Sequence, residues 1–93
     1  MIQTFRCRET ERIFGGDSSP AFPPDIQDRA RERLRRLHAA TRLSDLAALR
    51  SNRLEPLKGN RLGQYSIRIN DQWRICFVWE GGHAYDVEIV DYH

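Results

Sequence analysis

Residues 53–77 read RLEPLKGNRLGQYSIRINDQWRICF, a basic segment whose second half alternates between apolar and polar residues. Its basic side chains are Arg53, Lys58, Arg61, Arg68 and Arg74. Glycines and an asparagine precede the alternating part, so the pattern predicts a turn followed by a β-hairpin. This segment decides which residues share each face of the sheet.

Three strands are predicted from this point onward, over residues 64–70, 73–80 and 84–90. Their odd-numbered positions are mostly large and apolar. Three-residue turns at 70–72 and 81–83 place all of these positions on one face, whereas a slip of one residue would expose an apolar face. The second turn then pairs Phe77 with Val87. We expect the odd-numbered face to pack against helices.

The same register places Arg68 directly opposite Arg74 on the even-numbered face. Like charges in this position destabilise a sheet. Two explanations stay open: an anionic ligand such as phosphate binds both arginines, or Glu88 neutralises them from a position diagonal to Arg74. Lys58 and Arg61, which the preceding turn delivers to the same edge, favour the ligand.

The residues upstream of this segment predict a mainly helical scaffold. The expected elements are a strand over residues 2–7, helical turns over 9–14, a main helix over 25–40 and a short helix over 45–50 capped by Ser44. Five arginines of the main helix are interleaved with acidic residues. We therefore interpret its outer face as a solvated surface with ion pairs rather than as a nucleic-acid site.

Length and composition indicate one globular domain spanning residues 1–93. Hydrophobic residues make up 40% and charged residues 30% of the chain. The net charge of +2 alone implies no nucleic-acid partner. Lys58 is the only lysine among 15 basic residues. The arginines suit bidentate phosphate contacts, but an arginine-rich codon bias explains them equally well.

The cysteines and the hydropathy of the chain indicate the cellular compartment in which the protein is expected. Cys7 and Cys76 lie far apart in sequence and show no metal-ligand spacing, so we expect free thiols in a reducing environment. No apolar run approaches the ~20 residues that a membrane-spanning helix needs. The N-terminal residues also lack the apolar core of a secretory signal. These features predict a cytoplasmic protein with no membrane partner.

The segment LEPLKGNRLGQYSIRINDQWRICF, the later strand AYDVEIVDYH and the length of 93 residues together resemble the HigB family of toxins. These toxins belong to bacterial type II toxin–antitoxin systems and to the RelE-like superfamily. The resemblance implies an α+β, RelE-like microbial RNase fold with N-terminal helices packed on one face of a small antiparallel sheet. It also implies a ribosome-dependent endoribonuclease that cuts mRNA in the A site by 2′-hydroxyl attack. Such an enzyme inhibits translation and requires no metal or cofactor.

The resemblance assigns catalytic roles residue by residue. Family residues that hold the scissile phosphate fall on Lys58 and Arg74, and the terminal catalytic triplet falls on Asp91, Tyr92 and His93. His93 is expected to transfer a proton, and Tyr92 to stack on or orient a base. Asp91 either assists His93 or acts as the base itself.

One position departs from the family pattern, because Glu55 stands where a well-known branch has histidine. Glu55 is expected to act either as a base or as an ion-pair partner. Arg53, Arg61 and Arg68 are expected to contact RNA. The implied partners are a helix-turn-helix antitoxin resembling HigA and the 70S ribosome with its mRNA and rRNA. The alternative is a non-catalytic RNA- or partner-binding module, a decayed toxin, that uses the same basic face.

Overall fold

The computed structural model of the protein describes residues 1–91, in which helices pack against one four-stranded antiparallel sheet. The helices are α1 (Arg8–Phe14), α2 (Pro24–Ala39) and α3 (Leu43–Ala47). The strands are β1 (Glu55–Pro56), β2 (Gln64–Arg68), β3 (Trp73–Glu80) and β4 (His83–Asp91), and they lie side by side in chain order. The predicted α+β architecture is confirmed.

The β2–β3 hairpin has the predicted register. Tyr65 lies opposite Phe77, and Arg68 lies opposite Arg74. The side chain of Asn70 stabilises the turn, because its Oδ1 accepts the backbone N–H of Trp73 at 2.7 Å. The alternation of residues 64–78 therefore sets the two faces of the sheet as the sequence indicates.

The β3–β4 turn differs from the prediction of a three-residue loop over 81–83. Gly81 and Gly82 form a two-residue turn with φ angles of 56° and 82°, which glycine adopts without strain. A register shift between Cys76 and Val78, with Asp86 at φ 53°, replaces the predicted pairing of Phe77 with Val87. The extra residue of this β-bulge restores the alternation, so apolar residues beyond the bulge still face the helices.

The predicted first strand over residues 2–7 forms only two isolated bridges, both parallel to β4. Ile2 pairs with Ala84, and Phe5 pairs with Val87. Between these bridges the hydroxyl of Thr4 accepts the N–H of Asp86 at 2.8 Å, and its carbonyl accepts the N–H of Val87 at 3.1 Å. The bulge in β4 therefore interrupts the ladder that a regular edge strand would need.

Two local predictions between α2 and β2 were wrong. Ser44 lies inside α3 rather than at its cap, and the carboxylate of Asp45 accepts the N–H groups of Thr41 and Arg42 at 3.0 and 3.1 Å. A carboxylate at the third helical position can satisfy these donors without a capping hydroxyl. The segment around Pro56, predicted as a turn, forms strand β1 at the edge of the sheet, where the missing N–H of proline is tolerated.

The outer face of α2 carries ion pairs, as predicted, including one between Arg36 and Glu32 at 2.7 Å. Arg33 departs from this pattern because its side chain is only 9% exposed. Its Nε donates to the backbone oxygen of Arg68 at 3.1 Å, next to the β2–β3 turn. Burial and the neighbouring Arg36 lower the pKa of Arg33 from its ordinary value.

The core lies between α2 and the odd-numbered face of the sheet. Its fully buried members include Leu34, Leu37, Ile67, Ile75, Phe77 and Val87. Within the described residues, no helix is long and apolar enough to cross a membrane. The helices thus bury one face of the sheet, and the even-numbered face lies on the other side.

Candidate active site

The even-numbered face of the sheet carries a polar row that crosses all four strands. Glu55 of β1 lies opposite Ser66 of β2, Ser66 opposite Cys76 of β3, and Cys76 opposite Glu88 of β4. Ser66 and Cys76 are fully buried, although they point away from the helices. The centre of this face must therefore be covered by other groups of the protein.

The β1–β2 connection contributes to this cover. Its 3₁₀ turn at Gly59–Arg61 places the side chain of Arg61 near β4, where Nη1 lies 2.8 Å from Oε1 of Glu88. Arg61 also donates to Oε1 of Gln64 at 3.1 Å. These contacts tie the connection to the far strand of the sheet, so Ser66 and Cys76 lie beneath a charged layer.

Arg74 is the central cation of this face and is itself only 8% exposed. Its Nε donates to Oγ of Ser66 at 2.7 Å, and its Nη2 donates to the backbone oxygen of Arg53 at 2.6 Å. The carboxylate of Glu55 lies 3.5 Å from the same Nη2. Protein acceptors thus engage both Nε and Nη2 of the guanidinium.

Of the two explanations open at the sequence level for the facing pair Arg68 and Arg74, neutralisation by Glu88 was wrong. Arg68 forms an ion pair with Asp71, and Arg74 forms one with Glu55. Glu88, expected to neutralise the two arginines, instead contacts Arg61. Each arginine of the pair therefore has its own acidic neighbour, which reduces the repulsion between the facing charges.

Three predicted RNA contacts and Lys58 lie on or near this face. Arg53 is exposed and adopts a left-handed backbone with φ 43°, which directs its carbonyl toward Arg74. Arg61 is half-buried over the face, as described above, and Arg68 is half-buried at the end of β2. Lys58 is exposed and precedes the 3₁₀ turn that carries Arg61. Glu55, Arg61 and Arg74 all lie near the buried thiol of Cys76, whereas Lys58 lies on the exposed connection before the 3₁₀ turn.

Asp91 lies on β4, the strand next to Arg74, but its position belongs to the other face of the sheet. Asp91 lies opposite Trp73 in the sheet. The ring of Trp73 packs edge-on against that of Phe22 on the helical side, with the ring centroids 5.8 Å apart. Its Oδ2 accepts a hydrogen bond from Nε2 of Gln72 at 3.1 Å. Alternation along β3 and β4 thus puts Asp91 and Arg74 on different faces. Tyr92 and His93, the other predicted members of the triplet, lie outside the described residues.

Sequence reasoning missed two groups that hold Arg74, the hydroxyl of Ser66 and the carbonyl of Arg53. The parity of β2 and β3 places Ser66 and Arg74 on one face, and this signal was present in the sequence. The role of Arg53 had no such signal. A left-handed backbone is usually indicated by glycine or asparagine, and it is uncommon at an arginine.

The buried arginine and the buried cysteine of this face favour contact with an anion over chemistry at the thiol. Burial raises the pKa of the Cys76 thiol above its ordinary value, so this cysteine is a poor nucleophile. Within residues 1–91, no group of three or more histidine, cysteine, aspartate or glutamate side chains could hold a metal ion. An arginine with a fixed plane is suited to a phosphate oxygen.

Comparison with known proteins identifies the family. A model described as the RelE-like toxin of type II toxin–antitoxin system HigB matches residues 3–93. Endoribonuclease HigB of Proteus vulgaris is 33% identical over 93 residues, which is the whole of both chains. Toxin HigB-1 of Vibrio cholerae serotype O1 is 42% identical over 85 residues, which is 90% of each chain. The chain therefore belongs to the HigB-like family, the RelE-like toxins of type II toxin–antitoxin systems.

Proposed function

We propose that this toxin is an endoribonuclease that cuts mRNA in the A site of the 70S ribosome and thereby inhibits translation. The observation that carries the proposal is Arg74, a nearly buried cation fixed by Ser66 and Arg53 on the face opposite the helices. The full-length relative from Proteus vulgaris, named as an endoribonuclease, supports the reaction type.

The proposed reaction uses the 2′-hydroxyl of the RNA as nucleophile. The 2′-oxygen attacks the neighbouring phosphorus and loses its proton to a base, and the bond to the 5′-oxygen breaks as that oxygen gains a proton. The products are a 2′,3′-cyclic phosphate and a 5′-hydroxyl, and no water is consumed. Because negative charge develops on the phosphoryl oxygens, Arg74 and Lys58 stabilise the transition state.

The terminal triplet supplies the proton transfers in this proposal. His93 exchanges protons with the reacting oxygens, Asp91 assists it or acts as the base, and Tyr92 orients a nucleotide base. Glu55 is assigned as the ion-pair partner of Arg74, because its carboxylate lies 3.5 Å from Nη2. Arg53, Arg61 and Arg68 contact the RNA backbone.

The cell controls such a toxin with an antitoxin, as the family name states. We propose that this partner is a HigA-like helix-turn-helix protein. We further propose that the enzyme needs no metal and no cofactor, because the 2′-hydroxyl provides the nucleophile and Arg74 and Lys58 provide the positive charge. The compartment proposed for this reaction is the cytoplasm, where translating ribosomes lie.

The test is cleavage of mRNA on programmed 70S ribosomes by the purified toxin, with cut sites mapped by primer extension. Wild-type protein should cut within the A-site codon. Arg74→Ala should lower the rate about 100- to 1000-fold, as expected for loss of one donor to a developing oxyanion. Arg74→Lys should also lose most activity, because lysine cannot reproduce the fixed fork of donors.

Arg35→Ala is the matched control, since Arg35 is an exposed arginine of α2. It should cut at the wild-type rate, which separates the role of Arg74 from a general loss of positive charge. Full activity of Arg74→Ala would contradict the assigned site. Absence of cutting by the wild-type protein on translating ribosomes would contradict the proposed reaction.

A second candidate is a non-catalytic module that binds RNA or another partner through the same face. The placement of Asp91 on the opposite face from Arg74 favours it, because an acid–base group should share a face with the phosphate-binding residue. Ribosome binding without cleavage, lost in Arg74→Ala, would select this candidate.

A further inference from the structure

The guanidinium of Arg74 is anchored along one side by two groups that the proposed reaction does not use. Oγ of Ser66 accepts from Nε at 2.7 Å, and the carbonyl of Arg53 accepts from Nη2 at 2.6 Å. Contacts at two nitrogens of a planar group fix both its plane and its rotation about the Cδ–Nε bond. They therefore fix the direction in which Nη1 points.

We propose that Ser66 is a positioning residue that orients Arg74 for transition-state stabilisation, with the carbonyl of Arg53 as its partner anchor. This inference rests on the proposed function, because it assigns a catalytic consequence to the geometry of Arg74. Ser66 is fully buried, so its hydroxyl acts through Arg74 and makes no contact with RNA.

The two anchors come from different parts of the chain, which makes the orientation a property of the assembled sheet. Ser66 lies on β2, beside Arg74 on β3, and Arg53 lies two residues before the start of β1. The left-handed conformation of Arg53, with φ 43°, is unfavourable for a residue with a side chain. The short hydrogen bond to Arg74 is a stabilising contact that this conformation makes available.

Positioning matters here because the contact of Arg74 with Glu55 is longer than its hydrogen bonds to Ser66 and Arg53. The carboxylate of Glu55 lies 3.5 Å from Nη2, and its side chain is 47% exposed. An RNA phosphate arriving on this face would compete with Glu55 for Arg74. Ser66 and the Arg53 carbonyl lie deeper and keep the guanidinium in place during that exchange, so the cation is preorganised for the transition state.

A purely structural role for Ser66 predicts a different result from a positioning role. In the structural case, removing the hydroxyl lowers stability and leaves the chemical step unchanged in the folded fraction. In the positioning case, the folded protein binds the programmed ribosome normally but cuts slowly. The second result follows because a small misplacement of a catalytic group reduces the rate more than the affinity.

The variants are Ser66→Ala, which removes the acceptor, and Ser66→Thr, which keeps a hydroxyl at the same position. Ser19→Ala is the matched control, because Ser19 is also a buried serine and its Oγ accepts the N–H of Ala21 at 3.1 Å far from the sheet face. Each variant is measured for single-turnover cleavage on programmed ribosomes over a range of toxin concentrations. The ¹⁵N signal of the Arg74 Nε–H group reports in parallel whether its hydrogen bond is present in the free protein.

Ser66→Ala should lower the maximal rate about 10- to 100-fold and leave the half-saturating toxin concentration nearly unchanged. Its Arg74 Nε–H signal should shift and exchange faster with water. Ser66→Thr should recover both the signal and most of the rate. Ser19→Ala should match the wild-type rate even where it unfolds at lower urea.

Wild-type cleavage by Ser66→Ala, combined with loss of cleavage in Arg74→Ala, would overturn the positioning inference and leave the proposed function standing. Equal losses of rate in Ser66→Ala and Ser19→Ala would also overturn it, since they would indicate a general effect of stability. An inactive wild-type protein would instead overturn the proposed function, and with it the catalytic consequence of this geometry.

Discussion

The two faces of the sheet are buried by different means. On the odd-numbered face, Phe77 and its apolar neighbours pack against α2, and burial depends on volume and shape. On the even-numbered face, Ser66 and Cys76 are equally buried, but the groups around them are charged and form hydrogen bonds of defined geometry. The first face should tolerate apolar substitutions of similar size. The second should depend on the chemistry of each contact.

The largest loss of stability is expected from Phe77→Ala, which removes a fully buried ring from the odd-numbered face. We expect the free energy of unfolding to fall by about 3–5 kcal/mol, because the substitution creates a cavity in the core. Val78→Ala, on the next position of β3 and only half-buried, should cost about 1 kcal/mol. Urea unfolding of both variants measures this difference, and similar losses would contradict the contrast between the faces.

A smaller effect is expected from Glu88→Gln, which tests the charged layer of the even-numbered face. The carboxylate of Glu88 is 2.8 Å from Arg61 and its side chain is 15% exposed, so we expect a loss of about 1 kcal/mol. Amide hydrogen exchange over residues 57–63 should also become faster, because the ion pair ties this connection to β4.

Asp28→Asn is the control for that variant. Asp28 pairs with Arg31 at 3.3 Å, but its side chain is fully exposed to water. The free energy of unfolding should stay at the wild-type value, because water screens this pair, and exchange over residues 57–63 should not change. An unchanged exchange rate in Glu88→Gln would show that other contacts hold the connection.

The smallest effect concerns pH and lies outside both faces, at the start of α3. Hydrogen bonds from the backbone N–H groups of Thr41 and Arg42 lower the pKa of Asp45 below its ordinary value. The pKa of Asp45 is lower in the folded protein than in the unfolded chain, where it is about 3.9. The ionised carboxylate therefore stabilises the fold above that pH, and this stabilisation is lost as the pH falls through the pKa of the folded protein. Asp45→Asn should therefore reduce the acid-induced loss of stability. Urea unfolding between neutral and acidic pH measures it, and identical pH profiles would contradict the assignment.

The sequence predicted the faces of the sheet better than its turns. The β2–β3 register followed from alternation, and the pairing of Arg68 with Arg74 was correct. The turn at Gly81 and Gly82 was shorter than predicted, and the bulge near Asp86 compensated for the change. A bulge has no strong sequence signal here, because aspartate adopts a left-handed conformation only when its surroundings favour it.

The sequence predicted part of the arrangement of charged residues on the even-numbered face. The sequence placed Arg61 and Arg74 near each other. Glu88, expected as one way of neutralising Arg68 and Arg74, pairs with Arg61, and Glu55, expected to act as a base or to pair with Lys58 or Arg61, lies beside Arg74. The pairing of Glu55 with Arg74 depends on strand β1, which is only two residues long. So short an element carries too little periodicity to be recognised from sequence.

By itself, the sequence determined which side chains share a face of the sheet, because alternation with a period of two is a local property of the backbone. The tertiary structure alone decided what each charged side chain contacts. Arg74 is anchored by the carbonyl of Arg53, 21 positions away, and Arg61 reaches Glu88 on the far strand. Such contacts depend on where the β1–β2 connection lies over the assembled sheet, and no local pattern encodes that position.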